Sequence, residues 1–386
     1  MALASTDGQI FDEFDKIRIG NPRQDEAHRL FDDLRYVGRR CSGSPLPWGG
    51  IFGPPLTGKT MSVTTYIETR VVEELIQHGT FSTDMDREKI ARQQRIVVPL
   101  IVSPLWTERS FAVDILHALG DPLPPRGLSA QELLALARGS LRDHGTELLI
   151  IEDPQHLLER IAFGASTSRA ETIGMTALKT LLLKGVVPVV LVASMEARCE
   201  LMNNVGFAAR CKKALDFGAL QKADEVQWGI FIDFVGTLGI RLKQHGLFEE
   251  PSDFLSEDVV ACIHEIANGR LGMASAIVCS ACMAAREAGA ARVTREHLSI
   301  ATDIWAVPLG IIDHNPFEVG IRSTVCGRDT RLLGAVRCRL RHQIQSRERG
   351  SRWPAYLRGI RRSSAVSYKE CFPKMSHVRY FRDRSH

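Results

Sequence analysis

The chain has 386 residues, of which 44% are hydrophobic and 24% are charged, a composition typical of a globular protein with a sizeable core. No apolar run approaches the roughly 20 residues that span a bilayer, and the N-terminus lacks the basic and apolar regions of a signal peptide. We therefore expect a cytoplasmic protein with no membrane partner. The nine Cys residues are scattered, which favours reduced thiols over a disulfide framework.

Charge is unevenly distributed along the chain. Residues 320–386 contain 17 Lys and Arg against 4 Asp and Glu, whereas residues 1–319 contain 32 against 41. A basic tail on an acidic body favours a nucleic-acid partner, although a dispensable extension would have the same composition. The tail has few aliphatic residues and no sustained period, so we expect it to be disordered or at most to form short amphipathic pieces.

The N-terminal half begins with a segment of little periodicity, 1–24, which is predicted to form an arm. Residues 25–40 then place apolar side chains at helical spacing, and a short apolar strand, 48–52, enters a Gly-rich loop. A helix is predicted over 60–78, followed by a polar connection over 79–94. This order of strand, loop and helix indicates the first unit of an α/β domain.

Three further runs of aliphatic residues are predicted to be buried parallel strands, at 96–102, 148–151 and 186–193. Pro99 within the first run indicates an edge strand or a bulge. Helices are predicted over 110–119 and 172–184. A further helix is predicted to begin at Ser129, which can form a capping box with Glu132. The alternation predicts a parallel sheet flanked by helices, with the whole α/β domain extending over 25–220.

Strand patterns end after about Asp216. The next residues are predicted to form four helices, over 226–244, 256–267, 273–288 and 294–305. They indicate a small all-helical lid domain over 221–319. Cys279 and Cys282 form the one close Cys pair, and their Ala-rich helical surroundings favour core packing over zinc binding.

The loop after the first strand carries the strongest chemical signal. Its sequence is Gly53-Pro54-Pro55-Leu56-Thr57-Gly58-Lys59-Thr60, which fits G-x-x-x-x-G-K-[ST] between a strand and a helix. The two glycines let successive N–H groups face phosphate groups, where the helix dipole adds favourable potential. Lys59 would reach the β- and γ-phosphates, and the Thr60 hydroxyl would ligate Mg²⁺. The motif predicts binding of ATP with Mg²⁺.

Two acids end the strand at 148–151. By position Glu152 would contact Mg²⁺ through water, and Asp153 would polarise the attacking water. The usual order of such acids is Asp then Glu, so the inversion places a side chain one methylene shorter at the catalytic position. A misplacement of about 1 Å can cost on the order of 100-fold in rate, and Pro154 also reshapes the turn. A solvated pair at a strand end is the alternative.

Two later residues are candidates for sensing or stabilising the transferred phosphoryl group. Ser194 ends the strand at 186–193 and would hydrogen-bond the γ-phosphate or the water as a sensor, unless it is a plain turn residue. Arg210 follows that strand, where a neighbouring subunit's nucleotide is within reach, and would act as an arginine finger. A solvated basic face formed with Lys212 and Lys213 is the alternative.

Together these segments resemble the AAA+ ATPases of the TniB/TnsC type, which regulate DNA transposition. The resemblance covers about 17–317 and rests on the P-loop and on the following stretches: SPLWTERSFAVDILHALGDPL (103–123), ELLIIEDPQHLL (147–158), ALKTLLLKGVVPVVLVASMEA (177–197), NVGFAARC (204–211), Trp228 and NGRLGMASAIVCSACMAAREAG (268–289). The segment after the second strand and Gln155-His156-Leu157 are its most discriminating parts.

The resemblance implies a P-loop AAA+ fold and a bacterial, cytoplasmic, ATP-dependent homo-oligomer. The oligomer would form a ring or filament on duplex DNA and recruit or activate a transposase. Arg210 would be the trans-acting arginine, and Arg270 is the one candidate for the sensor-2 arginine of the lid. Trp106, Thr107 and Arg109 are candidates for contact with DNA phosphates, with helix capping as the alternative.

Three hypotheses about function follow from these features. The first is a DNA-binding regulator of transposition that uses weak ATP hydrolysis as a timer. The second is a scaffold that assembles with ATP but does not hydrolyse it, because the acids are inverted. The third is a related AAA+ ATPase of secretion or replication initiation.

Overall fold

The computed structural model of the protein describes residues 6–41, 43–102, 107–121, 127–154 and 173–322. All of these described residues belong to one compact unit. The predicted basic tail lies outside the described residues beyond Arg322, as do Trp106 and the segment 155–157.

The elements of the N-terminal half are α1 (Asp7–Phe14), α2 (Pro22–Arg40), β1 (Trp48–Phe52), α3 (Lys59–Tyr66), α4 (Val72–Gln77), α5 (Arg87–Gln93), β2 (Val97–Ile101), α6 (Glu108–Leu119), α7 (Ala130–Asp143) and β3 (Leu148–Glu152). A π-helical segment, Ile67–Val71, joins α3 to α4 without a break. Ser129 and Glu132 form the predicted capping box of α7.

The elements of the C-terminal half are α8 (Ile173–Leu183), β4 (Val189–Ala193), α9 (Met195–Asn203), α10 (Val205–Ala208), β5 (Cys211–Asp216), α11 (Glu225–Gln244), α12 (Val259–Ala267), α13 (Leu271–Glu287), α14 (Arg295–Ala301) and α15 (Pro316–Val319). A π-helical segment, Thr302–Ala306, continues α14.

The five strands form one sheet in the order β2-β3-β4-β1-β5, and every pairing in it is parallel. Strands β1 and β4 are buried along their whole length, because helices cover both faces of the sheet. The predicted class, a parallel sheet flanked by helices and followed by a helical part, is confirmed.

Among the described residues, strand β2 lies at one edge of the sheet and pairs only with β3. Pro99 sits in the middle of β2 and is exposed. A residue without an N–H group is tolerated there because no further strand requires its hydrogen bond. The edge position that the proline indicates is therefore confirmed.

Strand β5 at the opposite edge was not predicted. Its sequence, CKKALD, places two adjacent lysines in the strand, and such charged segments lack the apolar signal of a buried strand. Both lysines are paired with α2, Lys212 with Asp33 at 3.2 Å and Lys213 with Glu26 at 2.6 Å. Contacts distant in sequence, rather than local pattern, therefore account for this strand.

In the part of the chain that the structure describes, the buried hydrophobic side chains fall into three clusters. Two clusters lie on the two faces of the sheet, and the third joins the helices from α11 onward. The N-terminal segment contributes Ile10, Phe14 and Ile17 to this third cluster. The segment predicted as an arm therefore contains a helix, α1, whose buried face is too short to give a periodic signal.

Cys279 and Cys282 are buried in the same cluster, and burial raises the pKa of the Cys279 thiol to about 12. This confirms core packing, and the described residues contain no group of His, Cys, Asp and Glu that could hold a metal ion. No single described helix is long and apolar enough to cross a membrane, and only the bent pair α12 and α13 passes that test jointly. Both helices belong to the buried cluster.

Candidate nucleotide-binding site

Most of the predicted site residues meet at one edge of the sheet, where the parallel strands end. The P-loop, Gly53–Thr60, follows β1, while Asp153 follows β3 and Ser194 follows β4. Two main-chain bonds tie these strand ends together: Gly53 donates to the Ala193 carbonyl at 3.1 Å, and Asp153 donates to the Val192 carbonyl at 3.0 Å. We call this side of the sheet, where the strands reach their carboxyl ends, the carboxyl edge, as distinct from the lateral edges formed by strands β2 and β5.

The P-loop curls tightly because two of its residues adopt left-handed backbone conformations, Leu56 with φ 66° and Gly58 with φ 93°. A Cβ atom on Gly53 would lie 2.4 Å from the Phe217 carbonyl oxygen, so only glycine fits there. The Thr57 hydroxyl donates to the Pro54 carbonyl at 3.0 Å and closes the turn. The loop leads directly into the amino end of α3, where unpaired N–H groups favour an anion.

Lys59 folds back over the loop in this structure. Its ammonium group donates to the carbonyls of Gly53 and Pro54, both at 2.7 Å. Burial lowers the pKa of Lys59, while the nearby carboxylates of Asp153 and Glu152 oppose that shift. The ammonium group is thus held in the mouth of the loop by exchangeable carbonyl bonds, which phosphate oxygens can replace.

Thr60 and Glu152 are brought into direct contact. The Thr60 hydroxyl donates to the Glu152 carboxylate at 2.6 Å, across 92 positions in sequence. Burial raises the pKa of Glu152, and the bond from Thr60 opposes this rise. A hydroxyl and a carboxylate are the hard oxygen donors that Mg²⁺ prefers, so these residues fit a magnesium ion. Their predicted roles toward it remain predictions.

Asp153 has an unusual backbone. Its φ is 51°, although it precedes Pro154, and both the side chain and the following proline disfavour that conformation. Backbone strain of this kind persists where the surrounding structure fixes it, often at functional sites. The side chain is exposed and lies near enough to Lys59 to influence its pKa. The predicted role in polarising water remains a prediction.

Ser194 lies at the carboxyl edge as the N-cap residue of α9. Its hydroxyl accepts a hydrogen bond from the Ala197 N–H at 3.3 Å. This capping contact explains the serine structurally, and its predicted role as a sensor remains a prediction.

Arg210 is not at the carboxyl edge. It directly precedes β5, and its carbonyl accepts the N–H of Trp48, the first residue of β1, at 3.1 Å. Its guanidinium group donates to the Gly206 carbonyl. Since the P-loop follows the last residue of β1, the whole strand separates Arg210 from the P-loop of its own chain. We call the end of the sheet that carries Arg210 the amino edge.

Trp48 fixes the segment that precedes Arg210. Its buried indole N–H donates to the Phe207 carbonyl at 2.8 Å, and its ring stacks on Phe207 with centroids 4.5 Å apart. With the main-chain bond to Arg210, three contacts from one residue hold 207–210 at the amino edge. No local sequence pattern indicates this role of Trp48, because it depends on contacts across about 160 positions.

Thr107 and Arg109 lie at the start of α6. Thr107 is its N-cap and forms a capping box with Ser110, through bonds of 2.8 and 3.0 Å. Arg109 is exposed and donates to the Leu128 carbonyl. The capping alternative therefore describes Thr107, while contact of either residue with DNA remains a prediction.

The helical part touches the P-loop through a residue that sequence analysis did not identify. The Gly272 N–H donates to the Leu56 carbonyl at 2.7 Å, and the Leu56 side chain packs against the helical cluster. Arg270, the candidate sensor-2 residue, instead donates from its guanidinium Nε to the Ala267 carbonyl at 3.2 Å, and burial lowers the pKa of Arg270. A glycine in a helix of small residues gives no pattern that would have indicated this contact.

Comparison with known proteins supports the fold assignment. Residues 48–198 match the family model described as an AAA domain. Cdc6p from Pyrobaculum aerophilum is similar in structure, with 18% identity, coverage of 93% of this chain and 97% of that chain, and a TM-score of 0.53. The ORC2 protein of Aeropyrum pernix, in ADPNP and ADP complexes, has 18% identity, coverage of 75% and 71%, and a TM-score of 0.51.

A third similar structure is the ORC1 protein of Aeropyrum pernix in complex with DNA, with 18% identity, coverage of 75% of this chain and 67% of that chain, and a TM-score of 0.50. A search of curated proteins finds no match. At these identities the likeness concerns the fold. The α/β half and the helical part together have the P-loop AAA+ fold that was predicted.

Proposed function

We propose that this chain is an AAA+ ATPase that binds ATP with Mg²⁺ at the P-loop. The observation that carries the proposal is the 2.6 Å contact between Thr60 and Glu152, which places two oxygen donors beside the mouth of the loop. The match of 48–198 to the AAA domain supports the same conclusion, and so do the ADPNP and ADP complexes of the Aeropyrum pernix ORC2 protein.

The residues of the carboxyl edge would divide the work as follows. Main-chain N–H groups of Gly53–Thr60 bind the phosphates, and Lys59 exchanges its carbonyl partners for phosphate oxygens. Thr60 and Glu152 hold Mg²⁺, which neutralises charge on the phosphates when bound. Asp153 orients the attacking water, and Ser194 senses the γ-phosphate. Because Asp153 is one methylene shorter than the usual glutamate, we propose slow turnover that acts as a timer.

Arg210 is proposed to act on the nucleotide of a neighbouring subunit. Its place at the amino edge, a full strand away from its own P-loop, is the geometry expected of a residue that acts between subunits. A guanidinium group supplied in this way stabilises the charge of the transferring phosphoryl group. ATP would then be hydrolysed only in a homo-oligomer.

We further propose that the oligomer forms on duplex DNA, as a ring or filament, and regulates transposition by recruiting or activating a transposase. The resemblance to TniB/TnsC-type proteins in sequence supports this role, and the complex of the ORC1 protein with DNA shows a similar fold bound to DNA. The α/β domain over 25–220 and the lid over 221–319 are the proposed units, with Thr107 and Arg109 as DNA contacts.

A second candidate function is replication initiation. Its specific support is that the three similar structures described above, each with a TM-score of at least 0.50, are ORC and Cdc6 proteins. The two candidates share ATP binding, assembly and DNA binding, so they differ in partner rather than in site. A transposase gene beside this one, and activation of that transposase in a reconstituted reaction, would distinguish transposition from initiation.

Phosphate release, measured with and without duplex DNA, tests the enzymatic part of the proposal. Turnover that Glu152→Gln or Asp153→Asn removes would support an ATPase and exclude the scaffold that binds ATP without hydrolysing it. Electron microscopy of the protein with an ATP analogue and plasmid DNA tests assembly. If no DNA-coating oligomer forms under any nucleotide condition, the transposition reading is wrong.

A further inference from the structure

We infer that Gly272 is a positioning residue for the P-loop: its peptide N–H holds the Leu56 carbonyl and thereby couples the helical part to nucleotide occupancy. The inference rests on the proposed nucleotide binding and adds to it the route by which binding is communicated. The contact is a main-chain hydrogen bond of 2.7 Å between residues 216 positions apart.

The bond uses a donor that the helix itself leaves free. Gly272 is the second residue of α13, and the first four N–H groups of a helix have no partner within it. A helix of 17 residues therefore presents its amino end to the P-loop, and the Leu56 carbonyl satisfies one of its free donors.

The fit leaves no room for a side chain. A Cβ atom on Gly272 would lie 2.8 Å from the Leu56 carbonyl oxygen and 3.2 Å from both its carbonyl carbon and its Cα atom. All three are main-chain atoms of the P-loop, so an added methyl group must displace the loop or the helix. By contrast, a Cβ atom on Gly229 in α11 would meet nothing within 4 Å.

Leu56, whose carbonyl accepts the hydrogen bond from Gly272, is itself fixed by its surroundings. Its φ of 66° lies in the left-handed region, which an L-residue adopts only when its surroundings fix it. Its side chain packs against the helical cluster, and its carbonyl accepts from Gly272. The central residue of the P-loop is therefore attached to the helical part by both its side chain and its main chain.

The orientation of one peptide follows from this attachment. The peptide between Leu56 and Thr57 is planar and trans, so its N–H points opposite to its carbonyl. With the Leu56 carbonyl directed at α13, the Thr57 N–H points away from that helix. Because a P-loop binds phosphates through its successive N–H groups, a shift of α13 would turn one of these donors, and a bound phosphate would hold α13 in place.

The test compares Gly272→Ala with Gly229→Ala in the full-length protein. Both changes place alanine in a helix, where intrinsic propensity favours alanine over glycine, so propensity alone predicts no loss in either variant. We expect Gly272→Ala to raise the Kd for a non-hydrolysable ATP analogue with Mg²⁺ roughly tenfold, because a loop donor is misplaced, and Gly229→Ala to leave it unchanged. Melting temperatures without nucleotide separate loss of fold from loss of positioning.

Leu56→Ala provides a second variant, which trims the packing on the helical cluster and keeps the carbonyl. We expect it to raise the Kd by a smaller factor, and it tests the inference if Gly272→Ala does not fold. If every variant that folds binds the analogue with a Kd within twofold of that of the unaltered chain, the inference is overturned. If the natural chain itself does not bind the analogue, the proposed function fails instead, and the two failures are thus distinct.

Discussion

The two edges of the sheet differ in how their functional residues are held. At the carboxyl edge the P-loop and the acids follow neighbouring strands and touch within one chain, as the Thr60–Glu152 contact shows. At the amino edge, Trp48 and Phe207 hold Arg210 through main-chain hydrogen bonds. In the described part of the structure, Arg210 makes no hydrogen bond to the P-loop or to the acids of its own chain. One edge therefore brings its candidate residues into contact within a single chain, whereas Arg210 at the other edge lies the length of β1 away from them.

The largest effect is expected from Lys59→Ala, which removes the ammonium group from the mouth of the P-loop. Binding of an ATP analogue, measured by titration calorimetry, should fall below detection, because no other cation of the loop faces the phosphates. Lys212→Ala at the amino edge removes the same charge from a surface ion pair and should leave binding intact. Equal losses in both variants would erase the proposed difference between the edges.

Arg210→Ala should separate binding from turnover. We expect analogue affinity within about twofold of the natural chain, and ATP turnover lowered about 1,000-fold or more, since arginine fingers contribute on this scale. Lys213→Ala is the matched control, because Lys213 lies nearby on β5 but is paired with Glu26.

Mixing variants tests whether Arg210 acts between subunits. Lys59→Ala chains carry an intact Arg210, and Arg210→Ala chains carry an intact P-loop, so an equimolar mixture should recover part of the turnover that each lacks alone. A mixture as inactive as its components would argue against action in trans.

Trp48→Phe should affect the amino edge without altering the carboxyl edge. The change keeps an aromatic ring but removes the indole donor to the Phe207 carbonyl, which still accepts the Arg210 N–H at 3.0 Å, so the loss is that of one hydrogen bond, about 0.5–1.5 kcal/mol. We expect turnover to fall roughly tenfold with unchanged analogue affinity, as measured by phosphate release and titration. A matching loss of affinity would mean that Trp48 supports the whole sheet rather than Arg210.

Asp153→Glu should sharpen the description of the carboxyl edge. The longer side chain restores the usual reach toward the attacking water, so turnover should rise about fivefold if reach limits the rate. Phosphate release under saturating ATP measures this, and Asp153→Asn serves as the variant that should lose turnover. Slower hydrolysis by Asp153→Glu would show that the left-handed backbone already places the aspartate correctly.

The smallest effect is expected from His28, which lies beneath the P-loop helix with its Nε2 atom 2.8 Å from the Ser62 carbonyl. Burial lowers the pKa of His28, the Ser62 carbonyl opposes this, and Arg70 lowers the pKa further against Asp25 and Asp32. The unfolded chain therefore binds a proton at His28 more readily than the folded protein does, so protonation of His28 favours unfolding. The contribution of neutral His28 to the free energy of unfolding is complete above about pH 6.5 and is lost as pH falls through the lowered pKa of the folded protein.

Urea unfolding between pH 7.5 and 5.5 checks this prediction. The free energy of unfolding should fall by at most about 1.4 kcal/mol per pH unit from this group, and His28→Asn should flatten the slope. His245 and His297 would contribute to the remaining slope, since burial also lowers the pKa of each of these residues. An unchanged slope in His28→Asn would place the titration elsewhere.

Much of the fold was predictable because its signals are local. The strands at 48–52 and 148–151 agree with the structure to within one residue, since apolar β-branched runs mark buried parallel strands. Strand β5 and helix α1 lack a local signal, because β5 is held by its parallel pairing with β1 and α1 is held by the helical cluster against which it packs.

The candidate site divides in the same way. The P-loop and the Glu152–Asp153 pair were predicted because their chemistry is written in short motifs. The roles of Trp48 and Gly272 were not, because each acts through main-chain carbonyls far away in sequence. Side-chain identity predicts what a residue can bind, but not which distant peptide group lies against it.

The separation of the P-loop and Arg210 by the length of β1 gives any row of subunits a direction. If each subunit offers its arginine to the next, the contact is heterologous and the two terminal subunits are unlike. One terminal P-loop has no arginine to complete it and would retain ATP, whereas the arginine at the other terminus has no nucleotide to act on. Subunits would therefore join and leave at different rates at the two termini, and the assembly would grow with a polarity set by a five-residue strand.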